Sequence, residues 1–257
     1  MVLVVAGLMT AMSLQADPGA APISSAVVAA SPSVVHERYH YRTVSLDGST
    51  AGGTATLELT RRGDLVDLVE ERQLPDGNRM TFKVRFSSRD MQVMRWEMQV
   101  KVDGQVTRST LAIGRAEVEA KQVGPDGVTT SDRMTRPKGT VVMTPLLKFE
   151  LARRLDQGHV TGPLEMIVLR DGELESYRLQ IEDRGDRQVT TAAGTFRCRV
   201  LSIAPTSALL ALAVPPGEML LAADGSHPLV LGVGSISRLS KVMRTELIEY
   251  RSENATP

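Results

Sequence analysis

The sequence is poor in the residues that usually announce chemistry. It has one cysteine, Cys198, among 257 residues, so no internal disulfide can form and no zinc site can rest on thiolates. Formal net charge is zero, which excludes the basic footprint a nucleic-acid partner needs. Aromatic residues make up 4% of the chain, so any core must be mainly aliphatic. Histidine is scarce too: His36, His40, His159 and His227 lack an obvious orienting carboxylate at short range. Gly232-Val233-Gly234-Ser235-Ile236 lacks the Gly-x-Ser-x-Gly spacing of a nucleophile elbow, so no catalytic residue is assigned. His36 and His40, four residues apart on a strand, would lie about 13 Å apart, too far to share one ion. None of the Asp-Gly pairs continues into a calcium-loop ligand series, and the expectation is no metal and no cofactor.

Long apolar runs are also missing. The longest near the N-terminus, Val2 to Leu14, falls short of the roughly 20 residues a bilayer-spanning helix needs, and no transmembrane span is expected. Its length suits the apolar stretch of an export signal, although no Lys or Arg precedes Arg38. The expected layout is a signal-like segment at 1–16, an Ala/Ser/Pro linker at 17–33, one β domain at 34–251 and a frayed tail at 252–257. The layout points to a periplasmic or otherwise exported bacterial protein.

What the chain does have is turns. Six Asp-Gly dipeptides punctuate it, beginning at Asp47, Asp76, Asp103, Asp126, Asp171 and Asp224. Asp-Gly supplies the positive φ angles of tight hairpins, because Gly has no Cβ and Asp tolerates the left-handed region. Between the turns apolar and polar residues alternate. Met80, Phe82, Val84 and Phe86 alternate with Thr81, Lys83, Arg85 and Ser87. Met94, Trp96, Met98 and Val100 alternate with Arg95, Glu97, Gln99 and Lys101. A period of two places one face in a core and the other in water. Cys198, between Phe196 and Val200 on one face, reads as a small buried hydrophobe. Arg184-Gly185-Asp186 reads as a hairpin tip.

The alternation breaks once. Thr144-Pro145 offers an N-cap followed by proline at the first helical position, and Leu147, Leu151 and Leu155 repeat every fourth residue up to Gly158. The spacing predicts one amphipathic helix near 144–157. The fold class expected is all-β with minor α: a strongly curved antiparallel sheet or incomplete barrel, with that helix packed in the concave face.

From residue 140 to about 250 a further pattern emerges. After the helix and the hairpin of Leu164–Arg170 with Tyr177–Glu182 comes Ala192-Ala193-Gly194-Thr195-Phe196-Arg197-Cys198. Met219-Leu220-Leu221-Ala222-Ala223-Asp224, His227-Pro228-Leu229-Val230 and a closing Thr245-Glu246-Leu247 follow. This resembles an exported bacterial family known as domain of unknown function three-one-zero-eight, which carries a similar Ala-Gly-Thr-Phe turn. The family's usual Trp in the later strand is absent near Leu220. The resemblance implies an exported protein without established activity, similar in fold to the curved half-barrels of lipoprotein carriers.

Nine methionines beyond the leader, several on apolar strand faces, suit a surface that accepts varied apolar shapes. The function expected is a non-enzymatic exported protein binding an apolar, lipid-like small molecule or an envelope partner. An envelope adaptor with a filled core and an unrecognised hydrolase are the alternatives. The cavity candidates are Phe82, Val84, Met94, Trp96, Met98, Leu147, Leu151, Leu155, Tyr177 and Leu179.

Overall fold

The computed structural model describes residues 34–45, 51–137, 141–144, 150–151, 164–170, 172–207, 216–223, 229–234 and 243–255. They form fifteen strands: β1 Val34–Ser45, β2 Ala51–Arg62, β3 Leu65–Gln73, β4 Arg79–Ser87, β5 Val93–Val102, β6 Gln105–Ile113, β7 Glu117–Val123, β8 Thr129–Thr135, β9 Val141–Met143, β10 Leu164–Arg170, β11 Glu173–Thr191, β12 Gly194–Pro205, β13 Gly217–Ala222, β14 Leu231–Gly234 and β15 Met243–Ala255. All belong to one sheet, in the order β8-β7-β6-β5-β4-β3-β2-β1-β15-β14-β13-β12-β11-β10-β9. Two meanders therefore run outward from the pairing of β1 with β15. Every pairing is antiparallel except β9 with β10.

Where the Asp-Gly pairs are described their glycines take positive φ, but of the described aspartates only Asp103 does. Asp103 and Gly104 both take positive φ, 50° and 82°, and close a two-residue turn between β5 and β6. Gly77, Gly127 and Gly172 also sit at positive φ in their hairpins. The pairs at Asp47 and Asp224 lie outside the described residues.

A sheet this wide cannot stay flat: right-handed twist makes open sheets beyond about ten strands curl or split. Bulges add curvature at His40/Tyr41, Thr43/Val44, Arg85/Phe86 and Asp183/Asp186. The proof of curling is a contact. β8 and β11 stand twelve steps apart in the strand order, roughly 58 Å if the sheet were flat. Yet the Leu174 N–H on β11 donates to Asp132 on β8 at 2.7 Å. The sheet rolls until its β8 edge meets β11, without strand pairing between them among the described residues.

One apolar cluster fills the inner face. It runs from Val118 and Ala120 on β7 through Trp96, Phe82, Leu68, Leu57, Tyr39 and Leu247 to Leu201, Met219 and Ile167. A smaller cluster of Cys198, Val200, Leu220, Ala222 and Val230 occupies the opposite face of β12 and β13. Cys198 is buried there, as alternation predicts.

Three expectations change. Arg184-Gly185-Asp186 is not a hairpin tip but a bulge within the 19-residue β11, where Gly185 takes φ 81° and both flanks pair with β12. The last strand runs to Ala255 instead of fraying after Arg251, because Ser252 to Ala255 pair with Glu37 to Val34. Among the described residues no helix is seen packed in the concave face, most of the segment 144–157 lying outside them: only Thr144, Glu150 and Leu151 are described. Glu150 and Leu151 are helical and Leu151 joins the core, 1% exposed, while Leu147 and Leu155 lie outside the described residues.

Candidate functional site

The inner face is ordered in cross-strand rows by the register. One row reads Glu37, Leu59, Leu68, Val84, Trp96, Leu111, Ala120 and Asp132. The next reads Tyr39, Leu57, Glu70, Phe82, Met98, Ser109, Gln122 and Thr130. A third begins Tyr41, Ala55, Arg72, Met80 and Val100. Burial falls off along this series. Val84 and Trp96 are core, Met98 is half-buried, and Ala55, Arg72, Met80 and Val100 form a partly exposed rim.

The predicted site residues divide accordingly. Phe82, Val84 and Trp96 lie together in the buried core, with Met98 and Leu179 partly buried against it and Leu151 seated in it. Met94 does not join them and is 53% exposed. The reason is the bulge: Arg85 pairs with Arg95 and Phe86 with Val93, so Met94 is the extra residue and Val93 takes the inner position. Tyr177 is half-buried and lies outside the cluster. Its hydroxyl bonds to the Glu175 carboxylate, and burial followed by that carboxylate pushes its pKa up.

The inner face also carries charge, which the apolar reading of these strands missed. Arg61 spans two buried carboxylates, donating to Glu37 at 3.2 Å and Glu150 at 2.7 Å. This ties residue 150 to β1 and β2. Glu70, 2% exposed, accepts from Arg72, whose guanidinium lies 5.6 Å from the Phe82 ring centre. Oε2 of Glu70 and Nε1 of Trp96 are buried with no hydrogen-bond partner among the described residues. The signal was present in the sequence: Glu37, Arg61, Glu70 and Arg72 all fall on the apolar parity of their strands.

A trough of about 410 Å³ crosses β5 to β8. Its lining includes Arg95, Glu97, Lys121 and Arg133, whose parity is that of the solvent face, and Met94, which the bulge turns outward. The ion pairs Arg95–Glu97 and Arg133–Glu119 hold its walls. It is thus mainly an outer-surface feature, and the core residues Trp96, Leu111 and Ala120 also contribute to its lining. His36 and His40 also face outward, within hydrogen-bond reach of Thr60 and Thr56 across β2. Among the described residues no group of three or more His, Cys, Asp or Glu is placed to hold a metal.

No family model matches the chain, so the similarity to domain of unknown function three-one-zero-eight stays a resemblance of motifs. No curated protein matches either. Among solved structures, the chain is similar to a β-barrel-like protein of Domain of Unknown Function DUF1849 from Brucella abortus. The TM-score is 0.52 at 9% identity, over 87% of this chain and 99% of that one. A candidate lipoprotein from Parabacteroides distasonis aligns at TM-score 0.33 and 13% identity, over 84% of this chain and 94% of that one. At such identities the first likeness shows the fold alone: an antiparallel, β-barrel-like sheet.

Proposed function

We propose that this chain is an exported, non-enzymatic protein that binds an apolar, lipid-like molecule against the inner face of its rolled sheet. One observation carries the reading. The buried core is fringed by apolar side chains that pack on it yet keep part of their surface exposed, among them Met80, Met98, Met134, Met166, Leu179 and Ile203. Half-covered apolar surface, rich in methionine, is what an adaptable apolar site presents before it is filled. Export rests on the apolar run at the N-terminus.

The test is titration with a fluorescent fatty-acid analogue. Binding at micromolar affinity or better, about −8 kcal/mol, is expected, with Met98→Asp weakening it. If no apolar probe binds folded protein, the second reading takes its place: an envelope adaptor with a filled core. That alternative is favoured by the depth of packing, since Tyr39, Leu57, Val66 and Phe86 are all fully buried.

A further inference from the structure

The fifteen strands are joined neighbour to neighbour by backbone ladders, such as the eleven Cα pairs between β11 and β12. One junction is built differently. Where the rolled sheet returns on itself, the tip of the β10–β11 hairpin rests on the inner face of β7 and β8. Asp132 accepts the Leu174 N–H at 2.7 Å and, through its other oxygen, the Arg133 N–H at 2.8 Å. Gly172 is buried, and a Cβ there would lie 3.0 Å from Thr130 Oγ1 and 3.4 Å from Gln122 Oε1. The tip sits flush because residue 172 has no side chain. The apolar groups around the seam, Met134, Leu169 and Leu174, pack on the core but are not sealed over.

We propose that this seam is the gate to the inner face: the β10–β11 tip lifts from β7 and β8 to admit an apolar guest, and Asp132 is its latch. The proposal rests on the apolar-ligand reading above. Physically, the seam is where the roll opens most readily. Parting any two paired strands breaks a ladder, whereas parting the seam breaks, among the described residues, the Leu174–Asp132 hydrogen bond and an apolar contact. Local opening follows such low-density contacts. Opening here also exposes inner-face positions without disturbing the pairing of β1 with β15.

Hydrogen exchange followed by mass spectrometry on the full chain tests it, beside stopped-flow binding of Nile red. In Asp132→Ala the amides of residues 172–176 should exchange at least tenfold faster, while those of β3 to β5 stay unchanged. Nile red should associate several-fold faster. Asp132→Asn keeps an acceptor oxygen in place and should preserve most of the protection. Tip exchange unchanged in Asp132→Ala would overturn the latch. Exchange rising equally across β3 to β5 would overturn it too, because the side chain would then serve global stability. If the tip exchanges faster but Nile red binds to no variant, the apolar-ligand reading and the gate fail together, and only a mobile hairpin stands. If the dye binds all variants at one rate, the ligand reading holds and the gate is elsewhere.

Discussion

Trp96 and its two chain neighbours give a clean contrast of environments. Trp96 is 6% exposed within the core, whereas Arg95 and Glu97 pair with each other on the solvent face. Trp96→Ala should cost about 3–5 kcal/mol in urea denaturation, the range for deleting a large buried aromatic. Arg95→Ala and Glu97→Ala should each stay within about 0.5 kcal/mol. Equal losses at the three positions would show the register to be wrong. The bulge beside this strand explains why Met94 leaves the inner face although simple alternation places it there. Gly53 makes the same point from the backbone side. It takes φ 101°, and a Cβ on it would collide with the Gln73 carbonyl, so the approach of β2 to β3 needs glycine there.

At the scale of the element, two carboxylates fasten irregular points of the sheet. Asp183 accepts from the Gly185 N–H within the β11 bulge and from Arg199 on β12, both at 2.8 Å. Asp132 accepts from Leu174 and Arg133 at the seam. These bonds hold both carboxyls below the usual carboxylate range, the Gly185 N–H contributing most to Asp183 and the Leu174 N–H most to Asp132. The sign follows from linkage. Depressed folded values add stability that is fully present above the unfolded value, near pH 4, and is lost as pH falls through the folded values. Urea midpoints measured from pH 7 down to pH 2.5 should therefore fall on the acid side. Asp183→Asn combined with Asp132→Asn should flatten that limb. An acid limb identical in the double variant would assign it to other carboxylates. Arg197 pairs with Asp186 beside the same bulge and belongs in the comparison as a neighbouring charge.

For the whole molecule, the closing pair is β1 with β15, which joins Val34 to Ala255 across nearly the full described chain. Contacts of such sequence separation form late, because loop closure must precede them. β15 also holds β14 on its other side, so its loss opens two sheet edges at once. A chain ending before Met243 should lose its cooperative unfolding transition and aggregate, as exposed edges template further pairing. A soluble, cooperatively folding truncation would refute that account.

Hairpins, strand spans and the inner or outer place of most side chains were legible from Asp-Gly pairs and period-two alternation, because both are set within a few residues. The wet face of His36 and His40 and the burial of Cys198 came from the same local signal. Bulges were not legible: one extra residue at Met94 or Gly185 shifts the parity only through the partner strand. Nor was the charge on the inner face given its place, since Arg61 needs Glu37 and Glu150, which are 24 and 89 residues away. The chain by itself determined an antiparallel meander with one apolar face. Only the tertiary structure decided that fifteen strands roll until Asp132 meets Leu174, because accumulated twist and bulge curvature act over the whole sheet and no local segment encodes their sum.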